Sequence, residues 1–245
     1  MMARYFFEIS YFGKSFFGWQ KQPTSISVQE EIETQLSKLF GDISIVGCGR
    51  TDTGVHAANY YFHAELNEAS IEADKLIFKL NRMLPPSIVI HRIFPCDLHA
   101  RFDATQRTYR YFVHAGKNAF LTDTSWYVPQ ALDIAAMNAA AKHLIGKQDF
   151  TSFSKLHTDV KTNICVVSNA VWHSMDEQRY YFEISADRFL RNMVRATVGT
   201  LVDVGLGKLS PEDIPLILEK KNRSAASTSV PAHGLFLWQI NYNFE

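Results

Sequence analysis

Residues 27–40 read SVQEEIETQLSKLF, and this stretch decides how the first half of the chain is interpreted. Ser27 and Glu30 have the spacing of a capping box, in which side chains satisfy the unpaired N–H groups at the start of a helix. The apolar residues recur three or four positions apart, which predicts one buried helical face. They are Val28, Ile32, Leu36, Leu39 and Phe40. We therefore expect a helix that begins at Ser27.

Strand-like segments lie on both sides of this helix. They are predicted as strands because they are rich in β-branched and aromatic residues and end at turn-forming residues. They are residues 4–10, 43–47, 57–64 and 88–94. A second helix is predicted from the candidate N-cap Ser70 to the Pro85-Pro86 pair, since proline disfavours helical geometry in the residue before it. The order of strand, helix, strand, strand, helix, strand is that of the ferredoxin-like fold.

The second half of the chain repeats this order with different segment lengths. Its strands are predicted at residues 107–115, 164–173, 179–186 and 235–242. Its helices are predicted at residues 134–145 and 189–204, and an extra short helix is predicted to begin at Ser210-Pro211. No Gly/Ser linker separates the halves. We therefore expect an α/β (α+β) fold of two ferredoxin-like halves, 1–105 and 106–245, joined into a continuous, mostly antiparallel sheet.

The composition is that of an ordinary globular protein without a charge bias. Lys and Arg together number 25 of the 245 residues and equal Asp and Glu in number, so the formal net charge is zero. This balance excludes a wholly basic coat for nucleic acid, and any RNA site must be a local basic patch. No segment has the pattern of a secretion signal or of a membrane span, so a cytoplasmic location is expected.

Three cysteines, Cys48, Cys96 and Cys165, are widely separated and form no Cys-x-x-Cys pair. This spacing argues against a disulfide framework and against a zinc ribbon. Cys48 has no neighbour in sequence that would activate its thiol, so we expect it to be a small buried residue.

A glycine-flanked turn, GRTDTGVHA at residues 49–57, contains Asp52. Such a turn at a strand end projects its side chains into a cleft, although an Asp there is commonly a backbone cap. A metal site would need further ligands, and only His56 and His63 are near in sequence. A glycosidase would need a second, facing carboxylate. A lone carboxylate that acts covalently, or that stabilises charge at a sugar–base bond, stays open.

Residues 49–57 resemble the signature G-R-T-D-A-G-V-H-A of the TruA family of tRNA pseudouridine synthases, with one substitution at Thr53. Further segments resemble the family in the same order along almost the whole chain. They are GWQKQP at 18–23, RFDA at 101–104, TYRY at 108–111, FLRNMVR at 189–195 and PAHGL at 231–235. A second departure is Phe12, which stands where the family commonly has Asp.

The resemblance implies an isomerase that converts uridine to pseudouridine at positions 38, 39 and/or 40, on the 3′ side of the tRNA anticodon stem-loop. Asp52 is then the catalytic carboxylate, in a cleft between the two halves, and no metal or cofactor is implied. The family works as a homodimer, and neither a membrane nor a DNA partner is expected.

The resemblance also assigns roles to three other side chains. Arg195 is expected to pair with Asp52, and Tyr109 to lie against the target base, where its hydroxyl can help a proton transfer. Arg50 is expected to fill the space of the departed base or to bind a phosphate, because its planar fork suits oxyanions. On composition alone, Tyr109 is a core strand residue and Arg195 a solvated helix residue.

A uridine in a helical stem must be extruded before reaction, at a cost of about a few kcal/mol, and basic side chains that hold the flanking backbone can offset this. The candidates are Arg101, Arg107, Arg110, Lys155, Lys161, Arg188 and Arg191. Two other functions stay open on the sequence. One is a noncatalytic RNA-binding protein or RNA chaperone on the same scaffold. The other is a metal-dependent nuclease or a nucleoside hydrolase that uses Asp52.

Overall fold

The computed structural model describes residues 2–67, 71–155 and 162–244. By internal contacts the chain divides into two compact units. The first unit comprises Met1–Thr105 with Phe236–Glu245, and the second comprises Gln106–Leu235. The domain boundaries 1–105 and 106–245 stay a prediction, and they differ from these units in the placement of residues 236–245.

The described residues form a mixed α/β structure of ten strands and five α-helices, which confirms the predicted fold class. The strands are β1 (Ala3–Tyr11), β2 (Ile45–Gly47), β3 (His56–Leu66), β4 (Ile88–Pro95), β5 (Ala104–His114), β6 (Trp126–Tyr127), β7 (Gly146–Asp149), β8 (Ile164–Ser174), β9 (Arg179–Ala186) and β10 (Leu235–Tyr242). The helices are α1 (Val28–Phe40), α2 (Ala73–Met83), α3 (Ile134–Lys142), α4 (Met193–Gly205) and α5 (Asp213–Glu219). None of these helices is both long and apolar enough to cross a membrane.

The sheet of the first unit has the ferredoxin-like strand order that the sequence predicts. β1 lies between β4 and β3 and is antiparallel to both. The edge of β3 that faces away from β1 pairs with two strands. Near the end of β3, Ile45 of β2 lies opposite Ala64, and at the start of β3, Phe236 of β10 lies opposite His56. β2 is short, so the first residues of β3 are left for the parallel pairing with β10.

Helix α1 begins as its sequence predicts. The Ser27 hydroxyl accepts a hydrogen bond of 3.1 Å from the backbone N–H of Glu30. Ser27 is buried, as are Val28, Ile32 and Leu36 of the predicted apolar face, whereas Leu39 and Phe40 are half-buried. Helix α2 begins later than predicted, at Ala73, and Glu72 precedes it without a side-chain cap. The predicted cap Ser70 lies outside the described residues.

In the second unit the strands follow the order β5, β9, β8 and β7, with antiparallel neighbours. The short strand β6 pairs in parallel with the end of β5, where Val113 lies opposite Trp126. Helix α4 is almost completely buried, including the polar side chains of Thr197 and Thr200. It therefore forms the centre of the core of this unit.

Three predicted helix boundaries in the second unit are wrong. Helix α4 begins at Met193 rather than at residue 189, because Asn192 adopts a left-handed φ of 68°. Helix α3 ends at Lys142 rather than at residue 145, and the chain turns into β7 at Gly146, whose φ is 102°. Helix α5 begins at Asp213 rather than at Ser210-Pro211. The Ser210 side chain is expected to cap the helix, but the hydrogen bond runs from the Ser210 backbone N–H to the Asp213 carboxylate at 2.7 Å.

Candidate active site

The Asp52 loop, residues 48–55, connects β2 to β3 in the first unit and is held at both ends. The Cys48 N–H donates to the Tyr61 carbonyl at 2.9 Å, and the Tyr60 hydroxyl donates to the Gly49 carbonyl. Burial raises the pKa of Tyr60, with smaller contributions from Cys48 and Tyr11, so this phenol stays protonated and keeps its donor role. At the far end, the Val55 N–H donates to the Asp52 carbonyl at 3.1 Å, which closes a turn that begins at Asp52.

A second loop, residues 12–22, lies against the Asp52 loop. The Trp19 N–H donates to the Thr51 carbonyl at 3.3 Å, and the Gly54 N–H donates to the Phe16 carbonyl at 3.4 Å. The Tyr11 and Thr51 hydroxyls are hydrogen-bonded at 2.8 Å in the core. Both sides of Asp52 are therefore fixed by backbone contacts, while its side chain is half-buried.

The close approach of the two loops depends on glycines. Gly18 has a φ of 85°, and a Cβ atom there would lie 2.4 Å from the Thr51 carbonyl oxygen. A Cβ atom on Gly13 would lie 1.9 Å from the Val55 carbonyl oxygen. Any larger residue at these two positions would displace the Asp52 loop.

The aromatic residues of the 12–22 loop divide into supporting and exposed groups. Trp19 is buried and its ring stacks on Tyr60 with centroids 4.1 Å apart, and Phe16 is buried as well. Both therefore support the fold. Phe17 is 52% exposed.

The two departures from the family pattern have different surroundings. The Phe12 ring stacks on His56 with centroids 4.5 Å apart, and the Gly13 N–H donates to Nδ1 of His56 at 2.9 Å. Phe12 therefore packs beside the end of the Asp52 loop. Thr53 is exposed to solvent, whereas its neighbours Thr51 and Val55 are buried.

Arg50 is the exposed cation of the Asp52 loop. Its Nε donates to Oε1 of Gln20 at 3.3 Å, and the Gln20 amide donates to Gln29 at 2.9 Å. Gln29 in turn donates to the Ile45 carbonyl at 3.2 Å, on β2. This chain of amides links the guanidinium of Arg50 to the start of α1 and to β2.

Tyr109 and Arg195 lie in the second unit. Tyr109 is half-buried on β5, and the edge of its ring meets the ring of Phe189 at a centroid distance of 5.0 Å. Arg195 lies in the first turn of α4, and its Nε donates to the Val230 carbonyl at 2.7 Å. The Val230 N–H returns a hydrogen bond of 3.3 Å to the Arg195 carbonyl. Arg195 is thus fixed through both its side chain and its backbone.

The segment that holds Arg195 has its own support, which sequence reasoning missed. Arg223 donates to the Ala226 carbonyl at 3.1 Å and to the Ser229 hydroxyl at 3.0 Å. The Asn192 amide donates to the same hydroxyl. Arg223 and Ser229 form no recognisable motif, and only the neighbouring PAHGL segment at 231–235 pointed to this part of the chain.

That PAHGL segment is fixed to β5 through Tyr111. The Tyr111 hydroxyl donates to the Pro231 carbonyl at 2.8 Å, and burial raises the pKa of Tyr111, which keeps this donor protonated. A Cβ atom on Gly234 would lie 2.7 Å from the Tyr111 ring. Close packing therefore requires glycine in this segment.

The basic residues proposed to bind RNA differ in their surroundings. Arg110 pairs with Glu183 at 2.8 Å and lies over the Tyr181 ring at 4.8 Å, and Arg107 donates to the Asp187 carbonyl at 2.8 Å. Arg191 and Lys155 are exposed and are linked by a backbone hydrogen bond of 3.0 Å. The others are Arg101, which is exposed in the first unit, Arg188, which is half-buried in the second, and Lys161, which lies outside the described residues.

Two of the three cysteines are buried, and the third, Cys96, is half-buried. Cys48 and Cys165 are buried thiols, as expected for Cys48, and burial raises the pKa of Cys165 to about 12. No group of three or more His, Cys, Asp or Glu residues among residues 2–67, 71–155 and 162–244 is arranged to hold a metal ion.

The comparisons with known proteins point to one enzyme family. A family model described as tRNA pseudouridine synthase matches residues 140–243. A tRNA pseudouridine synthase A from Bacteroides fragilis is 47% identical over 247 residues, which cover 100% of this chain and 98% of the relative. The enzyme of the same name from Parabacteroides distasonis is 48% identical with the same coverage, and that from Bacillus subtilis is 39% identical over 96% of this chain and 97% of the relative. The chain therefore belongs to the tRNA pseudouridine synthase A family of isomerases.

Proposed function

We propose that this chain converts uridine to pseudouridine at positions 38, 39 and/or 40 of the tRNA anticodon stem-loop, with Asp52 as the essential carboxylate and without a cofactor. Membership of the family supports the general reaction on tRNA. The observation that carries the assignment to Asp52 is the fixation of its loop. Thr51 and Gly54 are hydrogen-bonded to the 12–22 loop, while the carboxylate between them is half-buried.

The reaction balances within the nucleoside. The bond between C1′ and N1 breaks, a bond between C1′ and C5 forms, the proton on C5 leaves, and N1 gains a proton. No oxidant, reductant or group donor is consumed. Asp52 can act either by attack on C1′ or by removal of a sugar proton to give a glycal, and both routes need the ionised carboxylate.

Arg195 is proposed to favour the ionised form of Asp52, since a nearby guanidinium stabilises a carboxylate. The Val230 carbonyl accepts from Nε of Arg195, which fixes the plane of the guanidinium. Tyr109 is proposed to stack on the target base, and its edge contact with Phe189 limits the positions of the ring. Its hydroxyl is proposed to help the proton transfer.

The RNA is proposed to be recognised by shape, with the target uridine extruded from its stem. Arg50 stands two residues from Asp52 and is proposed to fill the place of the extruded base or to bind a flanking phosphate. Arg101, Arg110, Arg188 and Arg191 are proposed to hold the backbone. We also propose that the enzyme acts in the cytoplasm as a homodimer.

The test uses tRNA transcripts that carry tritium on C5 of uridine, because the reaction releases this label. We expect Asp52→Asn to lower the rate of tritium release at least about 1,000-fold, a loss in the range of a positioned proton-transfer group. The variant should keep its circular dichroism and its affinity for tRNA. Asp42→Asn removes an exposed carboxylate of the same unit and serves as the matched control.

Other outcomes point to other functions. Full tritium release by Asp52→Asn would remove that residue from the chemistry. Wild-type protein that binds tRNA without releasing tritium would assign the chain to noncatalytic RNA binding. Strand cleavage or free uracil would instead indicate a nuclease or a nucleoside hydrolase.

A further inference from the structure

The 96–103 loop of the first unit connects β4 to β5 and presents an exposed phenylalanine on a rigid base. Phe102 is 73% exposed, and its ring stacks on the imidazole of His99 with centroids 4.4 Å apart and planes 28° apart. The Arg101 guanidinium carbon lies 5.7 Å from the centre of the same ring. One face of Phe102 is thus covered by a ring, while most of the side chain meets solvent.

The loop is fixed internally by hydrogen bonds around His99. The Asp103 carboxylate accepts from the His99 N–H at 2.6 Å, and the Asp103 N–H donates to the His99 carbonyl at 3.0 Å. Nδ1 of His99 accepts from the N–H groups of Arg101 and Phe102, at 3.2 and 3.3 Å. The backbone on both sides of Phe102 is therefore held by hydrogen bonds within the loop.

The loop is also fixed to the sheet beneath it. Ala100 is completely buried, its N–H donates to Nδ1 of His63 at 3.0 Å, and its carbonyl accepts from the Tyr242 hydroxyl. The Arg4 guanidinium donates to the Asp97 and Leu98 carbonyls at 2.9 and 3.3 Å. This attachment does not require an exposed aromatic side chain at position 102, so the packing of the loop leaves Phe102 unexplained.

We propose that Phe102 is a stacking platform for an unpaired nucleobase of the bound tRNA, with Arg101 as the adjacent cation. This proposal rests on the proposed function. Unpaired bases of RNA are commonly held by stacking on aromatic rings and on arginine planes. The ordered loop lowers the entropic cost of binding, because a phenylalanine has only two side-chain torsions left to fix. The loop also carries the carboxylates of Asp97 and Asp103, and that of Asp103 is already paired with the His99 N–H.

The platform serves a nucleotide other than the target uridine. His63, on which His99 packs with centroids 4.9 Å apart, lies seven residues along β3 from His56 at the end of the Asp52 loop. Seven residues of a strand span about 23 Å. The stacked base is therefore a flanking or loop nucleotide, which contributes to binding and not to the chemical step.

The test compares the tRNA dissociation constants of wild type, Phe102→Ala and Phe102→Tyr. Stacking on one base commonly contributes about 5- to 100-fold in affinity. We expect Phe102→Ala to weaken binding about tenfold and Phe102→Tyr to retain it within about twofold, because tyrosine keeps the ring. The rate of tritium release at saturating tRNA should be unchanged in both. The ratio between wild type and Phe102→Ala should stay constant as salt is raised, since no phosphate contact is lost.

The matched control is Phe78→Ala. Phe78 on α2 is 66% exposed and has the Arg82 guanidinium 5.6 Å from its ring. It therefore resembles Phe102 in its exposure and in having an arginine beside the ring. No ring packs behind it among the described aromatic contacts, unlike the His99 stack of Phe102. This variant should bind tRNA within about twofold of wild type.

Three results would overturn the platform. The first is wild-type affinity in Phe102→Ala, and the second is equal weakening by alanine and tyrosine. The third is a loss of tRNA binding by Phe102→Ala together with a change in its oligomeric state, as measured by sedimentation velocity. That result would reassign Phe102 to a contact between copies of the chain. If wild type releases no tritium, the proposed function fails. If wild type is active and Phe102→Ala binds tRNA normally, only the platform fails.

Discussion

Tyr109 combines a ring that is held in place with a hydroxyl that has a proposed role in proton transfer. Tyr109→Phe keeps the edge contact with Phe189 and removes only the hydroxyl. We expect the single-turnover rate of pseudouridine formation to fall about 100-fold, the lower end of the range for a positioned proton donor or acceptor. The tRNA dissociation constant should not change, because the stacking ring is kept.

The matched control is Tyr127→Phe, which removes a hydroxyl from an exposed tyrosine of the same unit. It should keep the wild-type rate. A Tyr109→Phe rate within about threefold of wild type would limit Tyr109 to stacking on the base.

Single residues of the candidate site differ in how far the sequence could predict them. Asp52 could be found only because nine consecutive residues resemble a known signature, since an aspartate in a glycine-rich turn is by itself typical of a backbone cap. The structure does place a turn at Asp52, closed by its own carbonyl. Arg223 and Ser229 could not be found, because their role depends on contacts with Ala226 and Asn192 that only the folded chain creates.

At the scale of elements, the Asp52 loop depends on the glycines of its neighbouring loop. Gly18→Ala introduces a Cβ atom 2.4 Å from the Thr51 carbonyl oxygen, at a φ of 85°. Gly41→Ala has nearly the same φ, 83°, but its Cβ atom meets nothing within 4 Å. Both variants should lose about 1–3 kcal/mol in the free energy of unfolding from backbone strain. Gly18→Ala should lose more than Gly41→Ala, because its Cβ atom also meets the Thr51 carbonyl oxygen.

Activity separates the two variants. Only Gly18→Ala should lower the single-turnover rate of pseudouridine formation, by at least about tenfold, because a displacement near 1 Å at a reacting group is costly. Gly41→Ala should keep the wild-type rate. Equal activity in the two variants would contradict the role of the 12–22 loop in fixing Asp52.

Elements with strong local signals are predictable from the sequence. Helix α1 has its capping serine and an apolar face within fourteen consecutive residues, and it begins where predicted. β7, with the sequence Gly146-Lys147-Gln148-Asp149, has no strand-like composition and exists through its pairing with β8. The left-handed Asn192 that delays the start of α4 is hydrogen-bonded to Ser229, a contact far away in sequence. Contacts with residues far away in sequence therefore accompany β7 and the start of α4, which local patterns do not predict.

At the scale of the whole molecule, His63 makes stability depend on pH. Burial lowers the pKa of His63 to about 4, with smaller contributions from Arg4 and His99. As pH falls below the ordinary value of 6.5, the unfolded chain binds a proton at this residue and the folded chain does not. The stability that neutral His63 provides is therefore complete above pH 6.5 and is lost as the pH falls towards 4.

The corresponding measurement compares the free energy of unfolding of wild type and His63→Asn by urea titration. Asparagine keeps an acceptor for the Ala100 N–H and does not titrate. Between pH 6.5 and 4, wild type should lose about 2 kcal/mol more than the variant. Near neutral pH, the difference in the free energy of unfolding between the two proteins measures only the packing effect of the substitution. This difference serves as the reference for the values at lower pH. Parallel pH profiles would show that His63 does not control this acid sensitivity.

The central claim, that Asp52 catalyses cofactor-independent pseudouridine formation in the anticodon stem-loop, is tested most directly by carbodiimide primer-extension mapping. Unmodified tRNA transcripts are incubated with wild type or with Asp52→Asn, in EDTA and without added cofactor. We predict new stops at positions 38, 39 and/or 40 with wild type alone. Stops of equal strength with Asp52→Asn, or no stops with wild type on any transcript that it binds, would contradict the account.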